Sequence, residues 1–171
     1  MANPHPLYIE TGQLYQTILE LAQSDRLLVG IDAPLTLPMY GNSRECERRL
    51  RKQKIPVYPS GAPFFKPITL LGIDLKNDLI QAGVETIEIY PYASRVRLQV
   101  GLGVKKQRLT GRQRIQSDLQ KYIPNLPSEP ILDHNFLDAL LGAYTTFLYG
   151  HGRAETISGD GQIVVPQSQR L

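Results

Sequence analysis

The stretch that most constrains the fold is Leu27-Leu28-Val29-Gly30-Ile31-Asp32-Ala33-Pro34-Leu35-Thr36-Leu37-Pro38, an apolar run ending on a carboxylate. With Ser24-Asp25 before it and a proline loop after it, the run reads as a strand buried on both faces, as in the middle of a parallel sheet. Asp32 falls at the carboxyl end of that strand, where open α/β sheets place their ligands. Pro34 and Pro38 stop the strand and stiffen the following loop, so Asp32 is presented on a rigid support. Aspartates after strands also cap turns by accepting backbone N–H bonds, and the strand alone favours neither role.

The chain of 171 residues has the size of one domain, 1–171, with residues 1–10 as a short lead. A single cysteine, Cys46, excludes an internal disulfide framework and suggests a reducing compartment. No apolar run approaches the length of a bilayer span, and Met1 to Pro6 lacks the charged and apolar parts of a signal peptide. A cytoplasmic protein with no membrane partner is therefore expected. There is no internal repeat and no low-complexity segment.

In chain order, Thr11 predicts an N-cap for a helix reaching about Gln23, with Leu14, Ile18, Leu21 and Ala22 along one face. After the proline loop, Asn42 or Ser43 caps a very polar helix carrying Arg44, Glu45, Glu47, Arg48, Arg49, Arg51 and Lys52. Cys46 and Leu50, four apart, give it a narrow buried stripe. Its charges are either a solvated face or, because it follows the Asp32 loop, arginines overhanging the same end of the sheet. Residues 55–67 are rich in proline and aromatics and predict an ordered loop or lid.

A third helix is predicted over 67–81, with Leu71, Leu75 and Leu79 as its buried stripe and Gly83 ending it. Thr86 to Tyr90 predicts a second strand, with Ile87 and Ile89 on one side and Glu88 on the other. Unpaired burial of a carboxylate is costly, so Glu88 is either paired with a cation or a ligand. Residues 92–121 hold Arg95, Arg97, Lys105, Lys106, Arg108, Arg112, Arg114 and Lys121 against one acid, Asp118. So dense a basic run either contacts phosphates, in a salt-sensitive way, or serves as a solubilising surface.

The last long helix spans about Asp133 to Tyr149, with Asp133 as its cap and His134 and Asp138 four apart on one side. Ala139, Gly142 and Ala143 let it lie close to the sheet, which would bring Asp138 toward Asp32. Gly159-Asp160-Gly161 reads as a hairpin turn into a final strand stopped by Pro166.

These blocks together resemble the uncharacterised family of predicted nucleases with the RNase H fold. The likeness rests on Ile31-Asp32-Ala33-Pro34-Leu35 with Leu37-Pro38, and on Arg44, Glu47, Arg48 and Arg51. It continues through Glu88-Ile89-Tyr90-Pro91, Asp133-His134, Leu137-Asp138-Ala139-Leu140, Ala143-Tyr144-Thr145, and Gly161 with Ile163 and Pro166. The resemblance implies an α/β layered domain, a central mixed sheet with helices on both faces, and a carboxylate cluster binding divalent metal. The family pattern opens with a strand carrying Gly and Asp and a meander of further strands. Here about ten residues precede the first helix and Glu10 is their only acid, so the usual first strands are expected to be lacking. The bared edge of the Asp32 strand would then be covered by a homodimer or by those first residues.

Two divalent ions bridged by carboxylates activate water and stabilise the leaving oxygen in phosphodiester hydrolysis. Hard oxygen ligands suit Mg2+ or Mn2+, so the expected metal ligands are Asp32, Asp138 and Glu88. His134 either packs at the helix start or assists as a base or ligand. The expected nucleic-acid contacts are Arg44, Arg48, Arg51, Arg95, Lys105, Lys106 and Arg112. One cysteine and three scattered histidines do not suit zinc, and no phosphate-binding glycine loop is present. A metal-dependent nuclease leads, ahead of a catalytically impaired nucleic-acid-binding or scaffold form of the same fold. A small-molecule phosphotransferase has no support in the glycine pattern.

Overall fold

The computed structural model describes residues 9–23 and 27–168. Its elements are α1 (Thr11–Ala22), β1 (Leu28–Ile31), α2 (Glu45–Lys52), α3 (Lys66–Gln81), β2 (Glu85–Glu88) and α4 (Pro91–Leu98), then α5 (Leu109–Leu119), α6 (His134–Gly150), β3 (Ala154–Ser158) and β4 (Gln162–Pro166). The apolar run does form a parallel strand, but among the described residues it pairs on one side only and is half-buried at Leu28, Val29 and Gly30 rather than buried on both faces: β1 pairs with β2, with Gly30 opposite Ile87 and Ile31 opposite Glu88. β3 and β4 make the antiparallel hairpin around Gly159-Asp160-Gly161. One parallel bridge, Ile89 to Val164, links the two pairs. The described residues thus form a mixed α/β arrangement with four strands, a smaller sheet than anticipated.

The alternation of β1 sorts its side chains between two helical layers. Val29 and Ile31 join Ile18 of α1 and Leu79 of α3. Leu28 faces the other way, with Ile87, Ile89 and Val164. On that second face Gly30 lies under α6, where a Cβ would collide with Thr146 Oγ1, and a Cβ on Gly142 would stand 2.7 Å from Ile89 Cδ1. The missing side chains are what allow α6 to reach the sheet. A second core under α6 gathers Leu98, Val100, Ile115, Leu119, Leu137 and Leu141.

Several boundaries differ from expectation for local reasons. Glu10, not Thr11, is the N-cap of α1, and Arg44 takes that position for α2. Leu71 is 61% exposed rather than buried. α3 instead buries Thr69, Gly72 and Leu79, because it leans on the Asp32 loop, where a Cβ at Gly72 would come 2.7 Å from the Pro34 carbonyl. The basic run contains a helix, α4, that charge alone concealed; Pro91 starts it and Ala93, Ser94 and Leu98 bury it. Asp133 caps α6 as expected, accepting from the Asn135 N–H at 2.9 Å. Among the described residues, β1 has no strand on the edge away from β2. Most of the lead expected to cover it, 1–8, lies outside those residues, as do Ser24 and Asp25. No described helix is long and apolar enough to cross a membrane.

Candidate active-site cleft

Asp32 leaves the end of β1, and Asp138 projects from the second turn of α6 into the same cleft. Toward β2 and α4 the cleft narrows to a cavity of about 350 Å³, walled by Tyr58, Tyr90, Tyr92, Lys105 and Lys106. In the other direction it opens into a groove of about 810 Å³ along β1 and the small-residue face of α6. Lys106 Nζ donates to Asp138 Oδ2 as an ion pair. Among the described residues Asp32 has no ion pair and its carboxylate accepts no hydrogen bond, although solvent reaches it. Crowding by the surrounding protein, then the charge of Asp138, push its pKa up to about 6; Lys106 pulls the other way and Glu88 adds a little. Two acids from distant parts of the chain are therefore held close enough to feel one another.

Glu88 does not join them. It is 6% exposed, and Arg44 grips it with two bonds, Nη1 to Oε2 at 2.7 Å and Nη2 to Oε1 at 2.6 Å. The Leu35 N–H donates to Oε2 at 2.8 Å. Arg44 Nε also donates to Glu47 Oε1 at 2.9 Å, and its Nη1 to Thr36 Oγ1 at 3.1 Å. Burial opposes the charge on Arg44, but the bonds and charge of Glu88 outweigh it and keep the guanidinium firmly protonated. Glu88 is itself held above the usual carboxylate range by burial, with Arg44 and the Leu35 N–H opposing. The expected metal ligand is thus a committed ion-pair partner, and the expected nucleic-acid contact Arg44, 1% exposed, is a core residue. The reason is the cost of an unpaired buried charge, which each removes for the other.

The remaining basic residues disperse. Arg95 is 5% exposed and spends its guanidinium on the carbonyls of Val100, Gly101 and Val104, closing the turn after α4. It borders the cavity only from within the wall, with its charge 5.9 Å from the Tyr92 ring centre. Arg48 pairs with Glu45 at 2.7 Å, Arg51 donates to the Val57 carbonyl at 3.3 Å, and Arg112 donates to the Gln107 carbonyl at 3.2 Å. These three do not line the cleft. Lys105 and Lys106 do. His134 opens α6 half-buried and away from the cleft lining, with Nδ1 unpartnered among the described residues. Its expected catalytic role has no geometry behind it.

Among the described residues no three His, Cys, Asp or Glu side chains converge to hold a metal. With Glu88 taken by Arg44, the expected two-ion site does not fit. Asp32 and Asp138, the latter engaged by Lys106, are donors of the type a hard divalent cation takes, one or two carboxylates together with substrate phosphate. Cys46 is excluded from such chemistry, since burial pushes its thiol up to about 11. Three tyrosines in the cleft wall, Tyr58, Tyr90 and Tyr92, have no counterpart among the expected site residues; Tyr90-Pro91-Tyr92 and the aromatic density of residues 55–67 are the sequence signal that points to them. Comparison of the chain with protein-family models, with curated proteins and with solved structures finds no match.

Proposed function

We propose that this chain is a nucleic-acid phosphodiesterase assisted by one divalent cation, Mg2+ or Mn2+, on a reduced RNase H-like layering. The observation that carries the reading is the convergence of Asp32 and Asp138, from β1 and α6, into one cleft beside Lys106. Asp32, crowded by the surrounding protein and by the charge of Asp138, is an acid that a cation would relieve. Asp32 and Asp138 are the residues that would hold it, and when bound it supplies charge stabilisation to a phosphoryl oxygen. Lys105 and Lys106 supply positive charge for the backbone phosphates.

With only two carboxylates in the cleft, one of them paired with Lys106, magnesium is disfavoured relative to manganese, because magnesium demands near-ideal geometry. The same shortage favours a second reading, nucleic-acid binding without hydrolysis, and the specific observation behind it is the capture of Glu88 by Arg44. A cleavage assay on short oligonucleotides separates the two. The parent should cleave with manganese and weakly or not at all with magnesium, while Asp32→Asn and Asp138→Asn abolish cleavage. Equal cleavage by all three proteins removes these carboxylates from the chemistry. Binding with no cleavage by any of them leaves the second reading.

A further inference from the structure

Hydrolysis as proposed makes no use of the aromatic wall beside Asp32. Tyr58, Tyr90 and Tyr92 line the cavity that holds Asp32, Asp138 and the two lysines. Tyr58 is 63% exposed and Tyr92 41%, and neighbouring Phe64 is 68% exposed, so much aromatic surface stands in solvent even though Phe65 backs the Tyr58 ring and Arg95 lies over that of Tyr92. The rings brace one another: the Tyr58 ring centre lies 5.6 Å from that of Phe65 and 6.0 Å from that of Phe64, and Tyr90 lies 6.1 Å from Tyr92. Such spacings are those of favourable aromatic pairs.

The loop carrying Tyr58 is also pinned. The Ser60 N–H donates to Glu47 Oε1 at 3.2 Å, Thr69 Oγ1 donates to the Ser60 carbonyl at 2.8 Å, and the Tyr90 hydroxyl donates to the Pro56 carbonyl at 2.8 Å. The buried Arg44–Glu47–Glu88 cluster therefore fixes the aromatic shelf relative to Asp32, and a platform ordered in advance costs little to use.

We infer that Tyr58 and Tyr92 form a stacking platform for unpaired bases, so that the nucleic acid taken by this cleft is single-stranded. The platform rests on the proposed nucleic-acid reading and narrows its substrate. In a duplex the base faces are covered by their neighbours, leaving phosphates and groove edges for a protein to touch. Only an unpaired base can lay its face on an exposed ring. The cavity of about 350 Å³ is at the small end of ligand pockets, room for a nucleotide rather than a helix. Rings for the bases beside Lys105 and Lys106 for the backbone are the pairing that single-strand binders use.

The chain has nine tyrosines and no tryptophan, so its tyrosine emission reports stacking directly. Metal-free binding of a short mixed-sequence single strand and of its blunt duplex is followed by that emission and by anisotropy of a labelled strand. The single strand should quench tyrosine emission and bind about tenfold or more tighter than the duplex, a Tyr58→Ala change should cost about tenfold in single-strand affinity, and Tyr58→Phe should retain it. Tyr58 is largely exposed, so its truncation leaves the fold in place. Equal affinity for strand and duplex, or full binding by Tyr58→Ala, overturns the platform; manganese-dependent cleavage in the same samples would still support hydrolysis. Tyrosine-dependent binding of the single strand with no cleavage supports the platform and counts against hydrolysis. Tyr58-dependent self-association without oligonucleotide binding overturns the platform and makes the face a protein contact.

Discussion

Asp32 and Glu88 end adjacent strands of one parallel pair, Ile31 standing opposite Glu88 in the register, yet their surroundings are opposite. Glu88 turns inward and is met by a bidentate arginine and a backbone N–H. Asp32 emerges into a cleft where its nearest charged company includes another acid. The Glu88 cluster has spent its polarity on itself and behaves as structure. Asp32 is left with unspent charge, and an unsatisfied, pKa-perturbed acid in a cleft is where chemistry concentrates. Residue type is the same in kind at both strand ends; the partner on the far side decides the role.

The largest effect expected from this contrast is at Arg44. Arg44→Met strands Glu88 and Glu47 as buried charges and should cost about 3–5 kcal/mol in urea unfolding, as breakage of a buried pair does. A cost no larger than that of a surface substitution would break the contrast, because it would mean that Glu88 finds water or neutralises at little expense. The double change Arg44→Met with Glu88→Leu should recover part of the loss, since Glu88 is then no longer an unpaired charge while Glu47 keeps only backbone N–H partners such as Ser60.

Next in size is the contact that sets the cleft. Gly30→Ala drives a methyl into Thr146 Oγ1. An overpacking cost of about 1–3 kcal/mol is expected. Because Thr146 and Asp138 share α6, a shift of that helix should lower manganese-dependent cleavage more than the stability loss accounts for.

Asp32→Asn sharpens the contrast with the opposite sign. A carboxyl whose pKa is raised from 3.8 to about 6 on folding is ionised in both states well above 6, where the folded chain bears the cost of the charge. Below the unfolded value it is protonated in both states and the cost vanishes. Metal-free Asp32→Asn should therefore be more stable than the parent by about 1 kcal/mol at about pH 8, a figure discounted for solvent access, with the gain gone by about pH 3. Urea midpoints at the two pH values check it; a destabilised variant at the higher pH would show that Asp32 is held as structure.

The smallest effect belongs to the exposed face of α2. Arg48 and Glu45 form a surface pair, and Arg48→Ala should change stability by about 0.5 kcal/mol or less. Oligonucleotide affinity should be unchanged in Arg48→Ala and reduced in Lys105→Ala, because only the lysine stands in the cleft. A loss of affinity at Arg48 would move the binding face toward α2.

Sequence alone determined those parts of the molecule that rest on local chemistry. The apolar run of β1, the alternation of Ile87, Glu88 and Ile89, the Asp133 cap and the Gly159-Asp160-Gly161 turn are all set by period and by turn residues, which operate over a few neighbours. The small residues of α6 likewise announced its close approach to the sheet, and with it the meeting of Asp138 and Asp32. Tertiary structure decided which charges are free. A buried Glu88 required a cation, but nothing within hydrogen-bonding reach along the chain could name Arg44, 44 residues away, and the same holds for Arg95 folding back onto its own turn rather than facing a ligand. The aromatic wall needed the fold as well, since Tyr58 reaches Asp32 only when its loop is tied to Glu47 and Tyr90. Charge pairing and cleft formation act through space at separations that sequence spacing does not encode, which is why the carboxylates could be foreseen as a set while their division into core and cleft could not.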